Sequence, residues 1–231
     1  MPYSSLRDFL AKLEADGDFV RVAEPVSTVL EMTEIQTRLL AENGPAVQFD
    51  QALMPDGKRA EMPVLVNLFG TVERVARAVT MSAQGDHTVE RRKASDLRIV
   101  GETLAFLRQP EPPGGFREAF EMLPLLRTVM AMKPKTLGSA PCQQVVLKGS
   151  DIDITKLPVQ TCWPGEPAPL ITWPLVVTKG PGTAKQDDFN LGIYRMQLLG
   201  PDKTIMRWLA HRGGAQHHAR WKGEKSEPLP V

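Results

Sequence analysis

Cysteine is scarce in this sequence: Cys142 and Cys162 are the only two thiols among 231 residues. Two cysteines so widely separated provide neither a disulfide framework nor the ligand set of a tetrahedral zinc site. Disulfide-rich secreted scaffolds and zinc-finger modules are therefore excluded. We expect reduced thiols and a cytoplasmic protein.

Long apolar runs and an excess of charge of either sign are also lacking. No window approaches the roughly 18 consecutive apolar residues that a transmembrane helix requires. Charged residues such as Asp8, Lys12 and Glu14 interrupt the stretch where a signal peptide would be apolar. The 28 basic residues nearly balance the 27 acidic ones, which leaves no general field for nucleic acid or an anionic membrane. We expect no nucleic-acid partner and at most peripheral contact with the inner face of the cell membrane.

The motifs of several large enzyme classes are absent as well. There is no Gly-x-Ser-x-Gly elbow, no His-Glu-x-x-His pair and no Gly-x-Gly-x-x-Gly fingerprint, so serine hydrolases, zincins and dinucleotide-binding Rossmann domains have no support. A histidine-based metal centre is not indicated, because His211 and His217 do not fall on one helical face. His217 and His218 are adjacent, so at most one of them faces a given site.

Helical periodicity alternates with short apolar runs in the first half, as is typical of an α/β layer. Helices are predicted from residue 6 to a stop at Gly17, from a cap at Thr28 to a stop at Gly44, and over residues 70–79 and 96–107. A short strand is predicted at residues 19–22, and buried strands at residues 46–49 and 63–67. Residues 109–115 (Gln-Pro-Glu-Pro-Pro-Gly-Gly) predict a connector, followed by a helix from near residue 116. We assign residues 1–135 to an N-terminal α/β domain.

Predicted strands dominate the second half. They cover residues 143–147, 175–178, 191–199 and 204–209, and turn-rich pieces such as residues 179–182 and 200–203 separate them. This pattern predicts an antiparallel sheet or barrel over residues 136–231. Together the two halves indicate an α+β chain.

One candidate site lies on the predicted strand of residues 190–197, Asn-Leu-Gly-Ile-Tyr-Arg-Met-Gln. Alternate residues of a strand share a face, so Asn190 and Tyr194 lie on one side and Arg195 on the other. If Arg195 faces a cavity, its guanidinium can bind a carboxylate or phosphate through two hydrogen bonds. The alternative is an arginine on the solvent side of the sheet, and the pattern alone leaves both open.

A second candidate site lies at residues 207–214, Arg-Trp-Leu-Ala-His-Arg-Gly-Gly, where a strand leads through two glycines into a predicted helix. The N-terminus of a helix presents free backbone N–H groups, and Arg207 and Arg212 beside it would favour an anion. The alternative is an ordinary turn with glycines in left-handed conformations and arginines in water.

In their order along the chain, these segments resemble the UbiD family of decarboxylases, in particular the 4-hydroxy-3-polyprenylbenzoate decarboxylases of ubiquinone biosynthesis. The resemblance extends over nearly the whole chain, from Leu-Arg-Asp-Phe-Leu at residues 6–10 and Asn-Leu-Phe-Gly-Thr at 67–71 to Trp-Pro-Gly-Glu at 163–166. Its most specific parts are Asn-Leu-Gly-Ile-Tyr-Arg at 190–195 and Ile-Met-Arg-Trp-Leu-Ala-His-Arg-Gly-Gly at 205–214.

The resemblance implies an N-terminal α/β domain followed by a flavin-reductase-like split β-barrel, here partial, that holds prenylated FMN with Mn²⁺ and K⁺. By the same analogy, Asn190 is a metal ligand and Arg195 belongs to a catalytic network with acidic residues. The cofactor-binding residues implied are Asn190, Ile193, Tyr194, Arg195, Arg207, Trp208, Leu209, Arg212 and Gly213.

The activity implied is loss of carbon dioxide from an aromatic acid, with the modified flavin carrying the difficult step. Implied partners are the aromatic acid, a second copy of the chain and a flavin prenyltransferase that supplies the cofactor. Family members are much longer, and their acidic catalytic residues lie beyond the position of Val231. We therefore expect a truncated chain with little activity by itself. The alternatives are an inactive fragment or a non-catalytic flavin- or phosphate-binding module.

Overall fold

A computed structural model describes Tyr3 and residues 5–79, 94–108, 137–182 and 188–231. The chain divides into two compact units. The helical unit comprises residues 1–9 and 71–148, and the sheet unit comprises residues 10–70 and 149–231. Helix α1 (Leu6–Ala15) passes from one unit into the other. The helical unit contains α3 (Val72–Val79), α4 (Ala94–Arg108) and a short 3-10 helix at Pro141–Gln143.

The sheet unit begins with a βαβ arrangement. Strand β1 (Phe19–Ser27) runs parallel to β2 (Ala46–Leu53), α2 (Glu31–Ala41) connects them, and β3 (Val64–Val66) pairs antiparallel with β2. The buried core of this layer consists of Val26, Met32, Val47, Phe49, Ala52 and Val66. Met32 of α2 is fully buried in this core. Removal of its side chain from water holds α2 to the sheet.

Strand β1 is longer than its sequence predicts because a register shift between Val22 and Pro25 keeps the pairing with β2 intact. A proline cannot donate to a ladder, and a bulge is one of the places where a strand tolerates it. Helix α2 ends as the sequence predicts. Asn43 adopts a positive φ of 54°, and the Gly44 N–H bonds the carbonyl of Leu39 at 2.7 Å.

The later part of the sheet unit consists of two small antiparallel sheets and a helix. In one sheet, β7 (Met196–Leu198) lies between β4 (Leu170–Ile171) and β8 (Thr204–Met206). In the other, β5 (Leu175–Lys179) pairs with β6 (Phe189–Ile193). Helix α5 (Gly213–Glu224) contacts both β5 and β6. Short 3-10 helices lie at Gly149–Asp151 and Ile154–Lys156.

Two strand predictions are wrong. The single strand expected over residues 191–199 is divided, because β6 ends at Ile193 and the chain resumes as β7 in a different sheet. Residues 143–147, expected to be a strand, carry no strand, and Val145 is 77% exposed. The connector at residues 109–115 and the helix expected after it lie outside the described residues.

The architecture is a mixed α/β fold with small sheets. The described strands form sheets of three, three and two strands, and no closed barrel is present among them. Within the described part of the chain, no helix is long and apolar enough to cross a bilayer.

Candidate functional site

Strand β6 has one inward and one outward face. Asn190 and Gly192 are partly covered, whereas Phe189, Leu191 and Ile193 are exposed, and the alternation continues to the buried Tyr194. The predicted division of the strand into two faces is therefore observed up to Tyr194. Gly192 is required because a Cβ at this position would overlap the Tyr194 ring.

Asn190 and Tyr194 meet at the N-terminus of α5. The amide nitrogen of Asn190 donates to the Tyr194 hydroxyl at 3.3 Å, and the Gly214 N–H donates to the same hydroxyl at 3.0 Å. The first N–H groups of a helix lack partners within the helix, so Tyr194 satisfies one of them. Gly213 packs so closely against Asn190 that a Cβ on it would overlap the amide oxygen.

Trp208 completes this cluster from the loop before α5. Its ring lies 5.9 Å from that of Tyr194 and 6.1 Å from that of His218, and a Cβ at Gly214 would come within 3.0 Å of it. Among the described residues, the buried Trp208 Nε1 has no hydrogen-bond partner. A buried donor without an acceptor is costly, which makes this atom a candidate contact for a bound group.

A chain of polar side chains extends from Asn190 beneath the sheet. The Asn190 amide nitrogen lies 3.4 Å from Thr178 Oγ1, and Thr178 Oγ1 lies 3.0 Å from His217 Nδ1. His217 Nε2 lies 3.2 Å from Asp188 Oδ1, and Asp188 also pairs with Arg220 at 2.6 Å. Thr178 is fully buried and His217 is 5% exposed, so solvent does not compete for the bond between these two side chains.

The three arginines of the predicted site are all exposed. Arg195 follows β6, and its guanidinium carbon lies 5.9 Å from the centre of the Trp163 ring. Arg207 and Arg212 lie in the segment between β8 and α5, and within the described residues neither forms an ion pair. Ile193 and Leu209, the two predicted aliphatic contacts, are also exposed, at 50% and 44%.

Cys162 is buried, and its thiol lies within range of the positive charge of Arg195. Burial raises the pKa of the Cys162 thiol, while the positive charge of Arg195 has a smaller effect in the opposite direction. The backbone N–H of Cys162 donates to the Glu166 carboxylate at 2.8 Å. The thiol is therefore held in its neutral form beside the segment that contains Trp163.

The structure thus brings together four of the predicted site residues, Asn190, Tyr194, Trp208 and Gly213, and leaves the arginines and aliphatic residues at the surface. Sequence reasoning missed Thr178, Asp188 and the buried role of His217. Thr178 was identifiable as the partner of Asn190 only once β5 and β6 were paired in register. No group of three or more His, Cys, Asp or Glu that could hold a metal occurs within the described ranges.

Comparison with known families identifies both parts of the chain. Residues 10–91 match the family model of the 3-octaprenyl-4-hydroxybenzoate carboxy-lyase N-terminal domain. Residues 135–231 match the Rift-related domain of the same carboxy-lyase. The fold and these matches define a UbiD-class carboxy-lyase architecture.

Solved structures of UbiD-class enzymes have the same fold. Vanillic acid decarboxylase from Sedimentibacter hydroxybenzoicus in its closed form gives a TM-score of 0.70 at 24% identity, covering 98% of this chain and 41% of that one. The evolved dimeric form of HmfF from Pelotomaculum thermopropionicum, in complex with prFMN, gives 0.68 at 21% identity, covering 98% and 43%. The apo 3,4-dihydroxybenzoic acid decarboxylase of Klebsiella pneumoniae gives 0.65 at 21% identity, covering 97% and 40%.

The chain belongs to the UbiD family and carries that family's N-terminal and Rift-related domains. It spans about two fifths of the length of the solved relatives, 40–43% in these three comparisons.

Proposed function

We propose that this chain provides the prenylated-FMN-binding region of an enzyme that removes carbon dioxide from an aromatic acid. The observation that carries the proposal is the cluster of Asn190, Tyr194, Trp208 and Gly213 at the first turn of α5. Family membership supports the reaction class, and the donors around the first turn of α5 support a site for the anionic end of a cofactor.

The first turn of α5 has the chemistry of a phosphate site. The N–H groups of Gly213 and Ala215 precede the first intrahelical bond, from Gln216 N–H to the Arg212 carbonyl at 3.0 Å, while the Gly214 N–H is held by Tyr194. The positive end of the helix dipole favours an anion at this point. Arg207 and Arg212 are exposed and free of ion pairs within the described part of the chain, so each can turn to a phosphate. The Trp208 ring packs against Gly214 in this turn, and its buried, unpartnered Nε1 is a further donor there.

Asn190 fits the role of a cation ligand next to that phosphate. Its amide nitrogen is committed to Thr178 and Tyr194, so its oxygen is the end left to bind. An amide oxygen suits a hard cation such as Mn²⁺, and K⁺ also takes oxygen ligands. Phosphate and acidic side chains would have to complete the metal shell.

Arg195 is proposed as the catalytic residue of this chain. Its fixed positive charge would hold a neighbouring carboxylate in the ionised form until a proton is transferred. When bound, prenylated FMN supplies the electron-accepting chemistry that decarboxylation requires. Ile193, Leu209 and the backbone near Gly213 would line the cofactor and exclude water.

The split β-barrel is part of the proposal. The outward face of the β5–β6 sheet presents Leu175, Val177, Leu191 and Ile193, each about half exposed or more, at 67%, 48%, 65% and 50%. A contiguous apolar face of this kind is typical of a surface that another element covers. We propose that it faces the interior of a barrel in the assembled enzyme, with residues 1–135 forming the preceding α/β domain and residues 136–231 the barrel portion.

The proposed substrate is a 4-hydroxy-3-polyprenylbenzoate of ubiquinone biosynthesis. Its support is the name of the family models, which describe 3-octaprenyl-4-hydroxybenzoate carboxy-lyases. A flavin prenyltransferase would supply the cofactor, and the enzyme would act in the cytoplasm as a homo-oligomer. We expect little turnover from the chain alone, because it spans only about two fifths of the length of the solved relatives. An assay with prenylated FMN and Mn²⁺ tests this, and substantial carbon dioxide release would contradict it.

The cofactor site is tested by titrating FMN with Mn²⁺ into the wild-type chain and two variants. Arg212→Ala removes a cation from the N-cap position of α5, and Lys222→Ala removes one from the last turn of the same helix. We expect a Kd weaker by at least about tenfold for the first variant and no change for the second, since one charge-assisted contact is worth roughly 1.5–3 kcal/mol. Equal affinities for both variants would contradict the site.

The second candidate function is a flavin- or phosphate-binding module without catalysis. The exposed position of Arg195, with no carboxylate paired to it among the described residues, favours this reading for the chain in isolation. FMN binding together with an absence of turnover after the remaining acidic residues are supplied in trans would support it.

A further inference from the structure

We propose that Asp188, His217 and Thr178 are positioning residues that fix the amide of Asn190 with its oxygen toward the first turn of α5. The four side chains form one continuous path, with heavy-atom separations of 3.2 Å, 3.0 Å and 3.4 Å. The role of this path in ligand binding rests on the function proposed above. The hydrogen-bond geometry of the path is independent of that function.

The direction of the path follows from hydrogen-bond chemistry. A carboxylate only accepts hydrogen bonds, so Asp188 requires a proton on His217 Nε2. In the neutral imidazole, Nδ1 then carries a lone pair and accepts from the Thr178 hydroxyl. The Thr178 oxygen is left to accept from Asn190, which places the NH₂ end of that amide against Thr178 and the oxygen on the other side.

Tyr194 provides an acceptor for the second amide proton of Asn190 in this orientation. Its hydroxyl oxygen accepts from the Gly214 N–H at 3.0 Å and lies 3.3 Å from the Asn190 amide nitrogen. Both amide protons of Asn190 therefore have acceptors. A flipped amide would place its oxygen against the Thr178 oxygen, whose proton is committed to His217, and would lose that bond, which is unfavourable in a partly buried setting.

Two glycines keep room for the ends of the path. A Cβ at Gly180 would overlap the Asp188 carboxylate, and a Cβ at Gly213 would overlap the Asn190 oxygen. The Gly180 N–H also donates to the Asp188 carbonyl at 2.7 Å, which fixes the backbone from which the carboxylate projects. Arg220 holds the second carboxylate oxygen at 2.6 Å, so Asp188 has one oxygen left for His217.

This arrangement matches the general way in which proteins orient a ligand-binding group. A carboxylate that accepts from one ring nitrogen of a histidine sets the tautomer and the orientation of the other nitrogen. Here the oriented nitrogen, His217 Nδ1, accepts a hydrogen bond from the Thr178 hydroxyl, and the Thr178 oxygen accepts one from the Asn190 amide. The residue that touches the ligand is Asn190, and the three behind it act through it.

The tautomer of His217 is the direct test, and it requires no ligand. In chain labelled with ¹⁵N-histidine, long-range ¹H–¹⁵N correlation spectra distinguish a protonated Nε2 from a protonated Nδ1, and His217→Gln assigns the signal. We expect protonated Nε2 in the wild type and a loss of that preference in Asp188→Ala. Protonated Nδ1 in the wild type would overturn the proposal, whether or not FMN binds.

The functional consequence is tested through Thr178 with FMN and Mn²⁺. Thr178→Val keeps the shape and removes the hydroxyl, and we expect about a tenfold weaker Kd, with Thr178→Ser returning the Kd to within about twofold. Because the path acts as one unit, Asp188→Ala combined with Thr178→Val should weaken binding no further than Thr178→Val alone. Multiplying effects, or a serine variant as weak as the valine variant, would overturn the proposal. If the wild type binds no FMN, the function proposed above fails, and the histidine spectra still decide the inference.

Discussion

The amide oxygen of Asn190 lies against the Cα of Gly213, with no room between them for a methyl group. The strand that carries Asn190 and the helix that begins at Gly213 are therefore fixed relative to each other at this point. The contact lies within the sheet unit and connects the two sequence segments that carry the family resemblance.

Gly213→Ala should destabilise the chain, whereas Gly223→Ala in the same helix should stabilise it. The added methyl group at Gly213 would overlap Asn190, and overpacking of this kind costs about 1–3 kcal/mol. A Cβ at Gly223 meets nothing within 4 Å, so the higher helix propensity of alanine should add about 0.5–1 kcal/mol. Urea denaturation measures both, and effects of the same sign would contradict the packing described.

Tyr194→Phe should lower the free energy of unfolding by about 1–3 kcal/mol, because it leaves the Gly214 N–H and one Asn190 amide proton without an acceptor. Tyr3 is the only other tyrosine, and the structure describes no side-chain hydrogen bond for it. Tyr3→Phe is therefore the matched control, with an expected effect below about 0.5 kcal/mol. Similar losses in both variants would argue against a structural role for the Tyr194 hydroxyl.

Met32→Ala should cost about 2–5 kcal/mol, because Met32 is fully buried between α2 and the β1–β2–β3 sheet. Met62 is 51% exposed, and its replacement by alanine should change stability by less than about 0.5 kcal/mol. Chemical denaturation of the two variants compares them directly. A small effect at Met32 would mean that α2 is not held to the sheet as described.

The two thiols should differ in reactivity toward iodoacetamide. Cys142 is exposed and Cys162 is buried with a raised thiol pKa, and the thiolate is the reactive form. At neutral pH we expect the Cys142→Ser variant to react at least tenfold more slowly than the wild type. Burial raises the pKa of the Cys162 thiol in the folded state above its unfolded value of about 8.5. The stability linked to this thiol is therefore fully present below the unfolded pKa and is lost as the pH rises through the folded pKa. Fast alkylation of Cys142→Ser at neutral pH would contradict the burial.

Much of the fold follows from local sequence pattern. Periodicity predicts α2, α3 and α4, and the turn at residues 200–203 correctly predicts the β7–β8 hairpin, where the Leu199 N–H bonds the Lys203 carbonyl at 2.9 Å. The break between Ile193 and Met196 is not visible in this way, because the apolar alternation continues across it while the pairing partner changes from β5 to β4 and β8. Residues 143–147 have the apolar character of a strand but no pairing partner, and character alone does not make a strand.

The candidate site also contains residues that the sequence reveals and residues that it does not. Asn190, Tyr194, Trp208 and Gly213 are recognisable from motif resemblance, and the structure brings them together. The path through Thr178, His217 and Asp188 depends on strand register and on the position of α5 over the sheet, which sequence spacing does not encode. His217 illustrates the difference, because its spacing from His211 argues only against a shared metal. Its actual partners are Thr178, 39 residues earlier in the chain, and Asp188, the residue just before β6.

The central claim, that the first turn of α5 with Asn190 receives the phosphate end of a flavin, is tested most directly by comparing FMN with riboflavin. The two ligands share the ring system and differ in the phosphate. With Mn²⁺ present, fluorescence titration should give an FMN affinity at least tenfold higher than that for riboflavin, and Asn190→Ala should reduce this ratio. Equal affinities for the two ligands in the wild-type chain would contradict the claim.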